Sequence, residues 1–309
     1  MSAPAPVAWA LGIIFAVLIA ATILVRFLDR EGGELRLRVR SWWFMIVVFA
    51  VAILIDPVIS SVFLGLVCYL AFKEYLSLVP TRQVDRLPLL FAYLSIPVQL
   101  YWAHTGWYDM FVVWIPVWMM LFLPMVMVLN GRTEGFLRAV GTLTFGLMLT
   151  VFALSHTAML LTGSDAVNGE AGGAGLLLFL VLTTQANDIL QFVWGRTLGR
   201  RPIVPSVSPK KTWEGFLGGV ATSAALAALT GPWLTIMPWH WAAAAGAVIA
   251  VAGFVGDVNM SAIKRDLGVK DSGGLIPGHG GILDRVDSLT YAGPVFFHFF
   301  AFFFVGGRA

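Results

Sequence analysis

Residues 173–195 read GAGLLLFLVLTTQANDILQFVWG. Asp188 is the one charged side chain in this run, and no proline interrupts it. A spanning helix needs about 20 mainly apolar residues at roughly 1.5 Å rise each, and this stretch meets that length. Its polar residues are not scattered. Thr184, Asp188 and Gln191 are four and then three apart, with Asn187 beside them, so a helix carries them as one stripe. Polar groups in hydrocarbon are costly and must face protein or water. The stretch therefore predicts a bundle of membrane helices with a polar interior rather than a lone anchor.

Nine further apolar runs lie at 7–28, 41–56, 57–73, 87–103, 110–130, 137–162, 214–235, 239–258 and 290–307. The expected fold is an all-α integral membrane protein of about ten transmembrane helices. Composition agrees: of 309 residues 59% are hydrophobic and 12% charged, against about 25% charged in soluble domains. A soluble enzyme and a disordered chain are excluded. The second and third runs meet at Asp56-Pro57, where proline stops one helix and the chain is expected to turn back. Cys68 lies inside an apolar run and is the only cysteine, which rules out an intrachain disulfide and a cysteine-based zinc site.

A net charge of +3 conceals a strong asymmetry. Nothing basic precedes the first run, while Arg26, Arg30, Arg36, Arg38 and Arg40 follow it, so it reads as a retained anchor with the 29–40 loop inside. Counting ten spans from there, every Lys and Arg except Arg308 falls on the inner side. Both termini are then non-cytoplasmic, in a multi-pass protein of the cytoplasmic (inner) membrane. Residues 1–135 form an N-terminal region with basic cytoplasmic loops, and 136–309 a C-terminal region holding two unusual segments, 183–219 and 257–289.

Those segments carry the candidate chemistry. Asp257, Ser261 and Lys264 are four and three apart and line one helix face. Between 266 and 289, six glycines and Pro277 forbid a regular helix, yet Lys270, Asp271, His279, Asp284, Arg285 and Asp287 are threaded among them. Glycines let backbone N–H groups approach an anion, and the cations suit a polyphosphate. Carboxylates beside such a loop suggest Mg²⁺, which takes one or two carboxylates with phosphate oxygens and water. Ser208-Pro209 reads as a turn and cap before the 214–235 helix. His104, His156, His240 and His298 are assigned to packing or to the outer interface.

Ser261-Ala262-Ile263-Lys264-Arg265, Lys270-Asp271 and Leu275-Ile276-Pro277-Gly278-His279-Gly280-Gly281-Ile282-Leu283-Asp284-Arg285-Val286-Asp287 resemble the signature of the phosphatidate cytidylyltransferases, or CDP-diacylglycerol synthases. Ser208-Pro209-Lys210-Lys211-Thr212-Trp213-Glu214-Gly215 and Gly195-Arg196 with Gly199 resemble that family's upstream stretches. Around Asp188 the acid is kept while its neighbours Asn187, Ile189, Leu190 and Gln191 differ. The resemblance implies an integral membrane enzyme that uses CTP and Mg²⁺ to convert phosphatidate into CDP-diacylglycerol and pyrophosphate, with a homodimer as the family expectation. Nucleic acid is not an expected partner.

On that basis Asp257, Asp284 and Lys264 are the expected catalytic group. Asp257 and Asp284, helped by Asp188 or Asp287, would hold one or two metal ions. Ser208, Lys211, Thr212, Lys264, Arg265, Lys270, His279 and Arg285 would bind substrate phosphates. Two other activities fit part of the pattern: a CTP-dependent membrane kinase of a polyprenol-like alcohol, and a transporter, although no inverted repeat accompanies the intramembrane acids.

Overall fold

The computed structural model describes residues 4–28, 33–129, 131–164, 167–275 and 280–306. His279, Arg30 and Arg308 lie outside the described residues. The chain is almost wholly helical, and eight helical stretches are long and apolar enough to cross a membrane. They begin with α1 (Ala5–Leu28), α2 (Glu34–Ile55) and α3 (Pro57–Leu78). The turn at Asp56-Pro57 forms as the sequence implies. Asp56 caps α3 by accepting from the Val58 N–H at 2.7 Å, and Pro57 occupies the first turn, where its missing N–H costs nothing.

Arg36, Arg38 and Arg40, expected in a loop, instead lie on the first turns of α2. Three arginines on a helix start can reach headgroups from there, so the apolar run begins one to two turns inside the helix. The next helix, α4 (Arg86–Thr105), is not among the eight. A longer stretch follows as α5 (Tyr108–Val113), a π-helical turn at Trp114–Met119 and α6 (Met120–Leu129). Pro116 sits in that turn and cannot donate to the helix ladder, which accounts for the widened turn.

The chain continues through α7 (Phe136–Leu147), a second π-helical stretch at Met148–Phe152, α8 (Ala153–Gly163) and α9 (Gly172–Leu198). The chain is all-α in class, and one short element stands among the helices. A short antiparallel hairpin, β1 (Pro202–Val204) with β2 (Ser208–Thr212), pairs Pro202 with Thr212 and Val204 with Ser208. Then come α10 (Trp213–Leu234), α11 (Trp239–Asp266), the single turn α12 (Leu283–Val286) and α13 (Leu289–Phe304); the last has 16 residues and is not counted among the eight.

α9, α10 and α11 form the tightest part of the bundle. A Cβ on Gly215 would stand 2.9 Å from the Gln191 carbonyl oxygen, so the small-residue spacing of Gly215 and Gly219 is used within the subunit to seat α10 on α9. The core runs between these helices and α3, α8 and α13, with Phe72, Phe179, Phe296 and Phe300 fully enclosed. Outward faces carry large apolar side chains, Leu137 at 82% and Leu229 at 72% exposure, as lipid contact requires. Arg82 donates to the Glu134 carbonyl at 2.7 Å, and Arg265 to that of Val207 at 3.3 Å. The first bond ties the 79–85 loop to the 131–135 loop, and the second ties the end of α11 to the hairpin.

Candidate active site

At that end the hairpin delivers its lysines to α11. Thr212, at the end of β2, caps α10 by accepting from the Gly215 N–H at 3.2 Å, and Glu214 accepts from the Arg200 and Arg201 N–H groups at 2.9 and 3.2 Å. The helix cap is therefore Thr212 and not the expected Ser208-Pro209, because Ser208 is already paired in the sheet. With the turn pinned, Lys211 forms an ion pair with Asp257 and lies 4.8 Å from the centre of the Phe254 ring. Ser261 donates to the other Asp257 oxygen at 3.3 Å. One turn further along the stripe, Lys264 reaches Asp284 at 2.7 Å.

Asp284 organises the glycine-rich segment. It accepts from the backbone N–H groups of Ser272 at 2.8 Å and Gly281 at 3.1 Å. Burial pushes its carboxyl up, but Lys264 and the two N–H donors outweigh this and hold it below the usual carboxylate range. On the other side stands Glu74, near the C-terminal end of α3. Its carboxylate accepts from Ile282 N at 2.9 Å, Leu283 N at 2.8 Å and the Ser272 hydroxyl at 3.2 Å, so it caps the turn α12 and fastens the loop to α3. Sequence reasoning missed Glu74. The available signal was weak: a carboxylate among the last apolar residues of a span, next to Lys73, reads as an ordinary helix-end charge.

Asp188, Asp257 and Asp287 converge from three elements. Asp188 accepts from the Ser288 hydroxyl at 3.1 Å, while Asp287 interacts electrostatically with both other acids and with Lys264. Burial, and then the charges of Asp257 and Asp188, push the Asp287 carboxyl up. Gly256 permits this approach, because a Cβ there would meet the Asp287 carbonyl oxygen at 2.5 Å. Asn187 joins α9 to its neighbours, accepting from Ser223 of α10 at 3.3 Å and donating to the Ala250 carbonyl of α11 at 3.3 Å, and it also accepts from Gln191 at 3.0 Å. Beside the acids lies a cavity of about 260 Å³ whose lining includes Asp188, Ser208, Lys210, Lys211, Thr212 and Asp257.

Of the residues expected from sequence, Asp188, Asp257, Asp284, Asp287, Ser208, Lys211, Thr212, Lys264 and Arg285 stand in or beside this region. Arg265 is exposed and bonded to the Val207 and Val269 carbonyls, and Lys270 is exposed on the loop. His156 and His298 lie elsewhere, in an aromatic cluster with ring centres 5.4 Å apart. Among the described residues, no three His, Cys, Asp or Glu side chains stand in an arrangement ready to hold a metal ion.

Residues 36–303 match the cytidylyltransferase family. The chain belongs to that family. This cytidylyltransferase is thus a nucleotidyltransferase, and among its relatives are proteins named phosphatidate cytidylyltransferase. One from Haemophilus influenzae is 43% identical over 139 residues, covering 42% of this chain and 47% of the relative. A chloroplastic phosphatidate cytidylyltransferase of Arabidopsis thaliana is 46% identical over 115 residues, covering 37% of this chain and 29% of the relative. The chain thus spans less than half the length of these two named enzymes. A protein of Escherichia coli, the uncharacterized protein YnbB, is 44% identical over 294 residues, 94% of this chain and 96% of its own length.

Proposed function

We propose that this cytidylyltransferase transfers CMP from CTP to phosphatidate, giving CDP-diacylglycerol and pyrophosphate. The observation that carries the reading is the convergence of Lys211–Asp257, Lys264–Asp284, Asp188 and Asp287 beside one polar cavity. Nucleotidyl transfer depends on alignment and charge neutralisation and needs no covalent protein nucleophile. A phosphatidate phosphate oxygen attacks the α-phosphorus of CTP; the new O–P bond forms as the bond to the β-phosphate oxygen breaks. A phosphomonoester's second pKa is about 6, so the attacking group is ionised near neutral pH and no general base is required.

The donor chemistry fits Mg²⁺. Asp188, Asp257 and Asp287 offer only hard oxygen donors, and Mg²⁺ needs one or two carboxylates with phosphate and water completing its shell. One or two of these acids would hold it, and Asp284, which like Asp257 carries a lysine partner, remains a further candidate ligand that also holds the loop through two backbone N–H groups. Bound there, Mg²⁺ supplies charge neutralisation and alignment of phosphate oxygens. Lys211 and Lys264 balance the triphosphate from the protein side, and Arg285 is left to the phosphate of the acceptor lipid. Arg265, Lys270 and His279, together with Ser208 and Thr212, are the remaining phosphate-binding group.

CTP is a soluble polyanion and phosphatidate keeps its chains in the bilayer, so their meeting point is the inner interface of the cytoplasmic membrane. We place the basic loops there, with α4 and α13 completing ten crossings, both termini outside, and the chemistry in residues 136–309. A homodimer remains the family expectation. The test is phosphate chemistry with purified protein: pyrophosphate release must require CTP, Mg²⁺ and phosphatidate together, and chelation must stop it. Release of CDP with a phosphorylated alcohol overturns the reading in favour of a kinase, and transport without turnover in favour of a carrier.

A further inference from the structure

Next to the polar cavity, and separated from it by α9, lies a second and larger space of about 580 Å³. Its walls come from α2, α3, α8 and α9 and its floor from the 282–289 segment; Met45, Phe49, Val67 and Val181 give it an almost wholly apolar surface, with Thr157, Gln185 and Arg285 as its polar exceptions. Phe44 and Leu66, which also line it, are 69% and 51% exposed, so the cleft opens sideways between α2 and α3 towards lipid. Its size falls within the usual range of ligand sites, roughly 300–1,000 Å³.

Arg285 makes this more than a packing defect. Its Nε is buried and has no hydrogen-bond partner among the described residues. A guanidinium set into apolar walls demands an anion. The acid that acts on it is Asp188, itself bonded to Ser288 and one helical turn from Gln185. Arg285 therefore stands where the apolar cleft meets the acidic cluster, with fixed N–H donors suited to phosphate.

We propose that this cleft holds the acyl chains of a two-chain phosphomonoester lipid, entering between α2 and α3, and that Arg285 binds its phosphate. The proposal rests on the phosphatidate reading above and extends it. One wall of the lipid site is built by α2, in the region that carries none of the signature residues, so part of the surface that meets the acyl chains lies outside the signature segments.

The experiment uses the full-length protein in phosphatidylcholine nanodiscs without nucleotide. The probe is phosphatidate bearing a diazirine at mid-chain. Crosslinks are expected on Met45–Phe49, Phe63–Leu70 and Val181, displaced by unlabelled phosphatidate and not by diacylglycerol. Arg285→Gln should weaken that displacement about tenfold, the loss expected of one charged hydrogen-bonding group. Val67→Trp should abolish cleft labelling, while Leu229→Trp on the exposed face of α10 should leave it intact. Should either cleft variant fail to fold, the contrast between phosphatidate and diacylglycerol on the parent protein decides. Labelling spread evenly over lipid-facing residues such as Leu229, or displaced equally by diacylglycerol, overturns the proposal. Turnover separates the two claims: displaceable cleft labelling in a protein that makes CDP overturns the transferase reading alone, and lipid-linked CMP with crosslinks elsewhere overturns the cleft alone.

Discussion

Replacing Glu74 with alanine tests how the glycine-rich segment is held. The carboxylate accepts two backbone N–H bonds and one hydroxyl bond, at 2.8, 2.9 and 3.2 Å, and these connect α3 to residues about 200 positions later. Hydrogen bonds to a charged partner contribute about 1.5–3 kcal/mol each. The site is only partly buried, so the low end applies, and the three together amount to about 3 kcal/mol after solvent screening. That is on the order of a 100-fold change in the balance between docked and undocked loop. Hydrogen exchange on protein in nanodiscs reads it directly. Residues 280–288 should exchange about 100-fold faster in Glu74→Ala, with Glu74→Gln between variant and parent, while α10 and α11 keep their protection. Turnover should fall in the same order. Exchange and turnover within twofold of the parent would refute the clamp.

Three more outcomes follow from the same geometry. Asp284→Asn should abolish turnover with the protein still inserted and monodisperse, because Lys264 would be left buried without its anion; near-normal activity contradicts its place in the site. Gly256→Ala should destabilise the protein by about 1–3 kcal/mol, seen as a lower thermal midpoint in detergent, since its methyl meets the Asp287 carbonyl; an unchanged midpoint contradicts the close approach. The third concerns pH. Asp284 is held below the usual range in the folded state, so its contribution is complete above its unfolded pKa of about 3.9 and is lost as pH falls through the lower folded value. Loop protection should be level from pH 8 to pH 5 and decline under pH 4; a decline beginning near pH 6 contradicts the assignment.

Much of this arrangement was legible in the sequence because its signals are local. The run around Asp188 carries its own helical period, Asp56-Pro57 carries its own turn chemistry, and Asp257, Ser261 and Lys264 declare one face by spacing alone. The pairs Lys211–Asp257 and Lys264–Asp284 were not legible: the residues were candidates, but nothing local says which ammonium meets which carboxylate. Glu74 was invisible for the same reason, with partners 198 to 209 positions away. The hairpin at 202–212 escaped because Pro209, Lys210 and Lys211 are poor strand residues, and its pairing is set by the packing of Thr212 against α9 and α10. The cleft beneath Arg285 needs four helices at once, and no single run of sequence foreshadows it.

The central claim, that a cytidylyl group passes from CTP to a lipid phosphate, is tested most directly by following two labels in one reaction. Purified protein with Mg²⁺ and phosphatidate is given CTP labelled at the α-phosphate or at the γ-phosphate. The α label should enter the lipid phase and the γ label should leave as pyrophosphate, in equal amounts. Entry of the γ label into lipid, with the α label remaining in CDP, would contradict that claim.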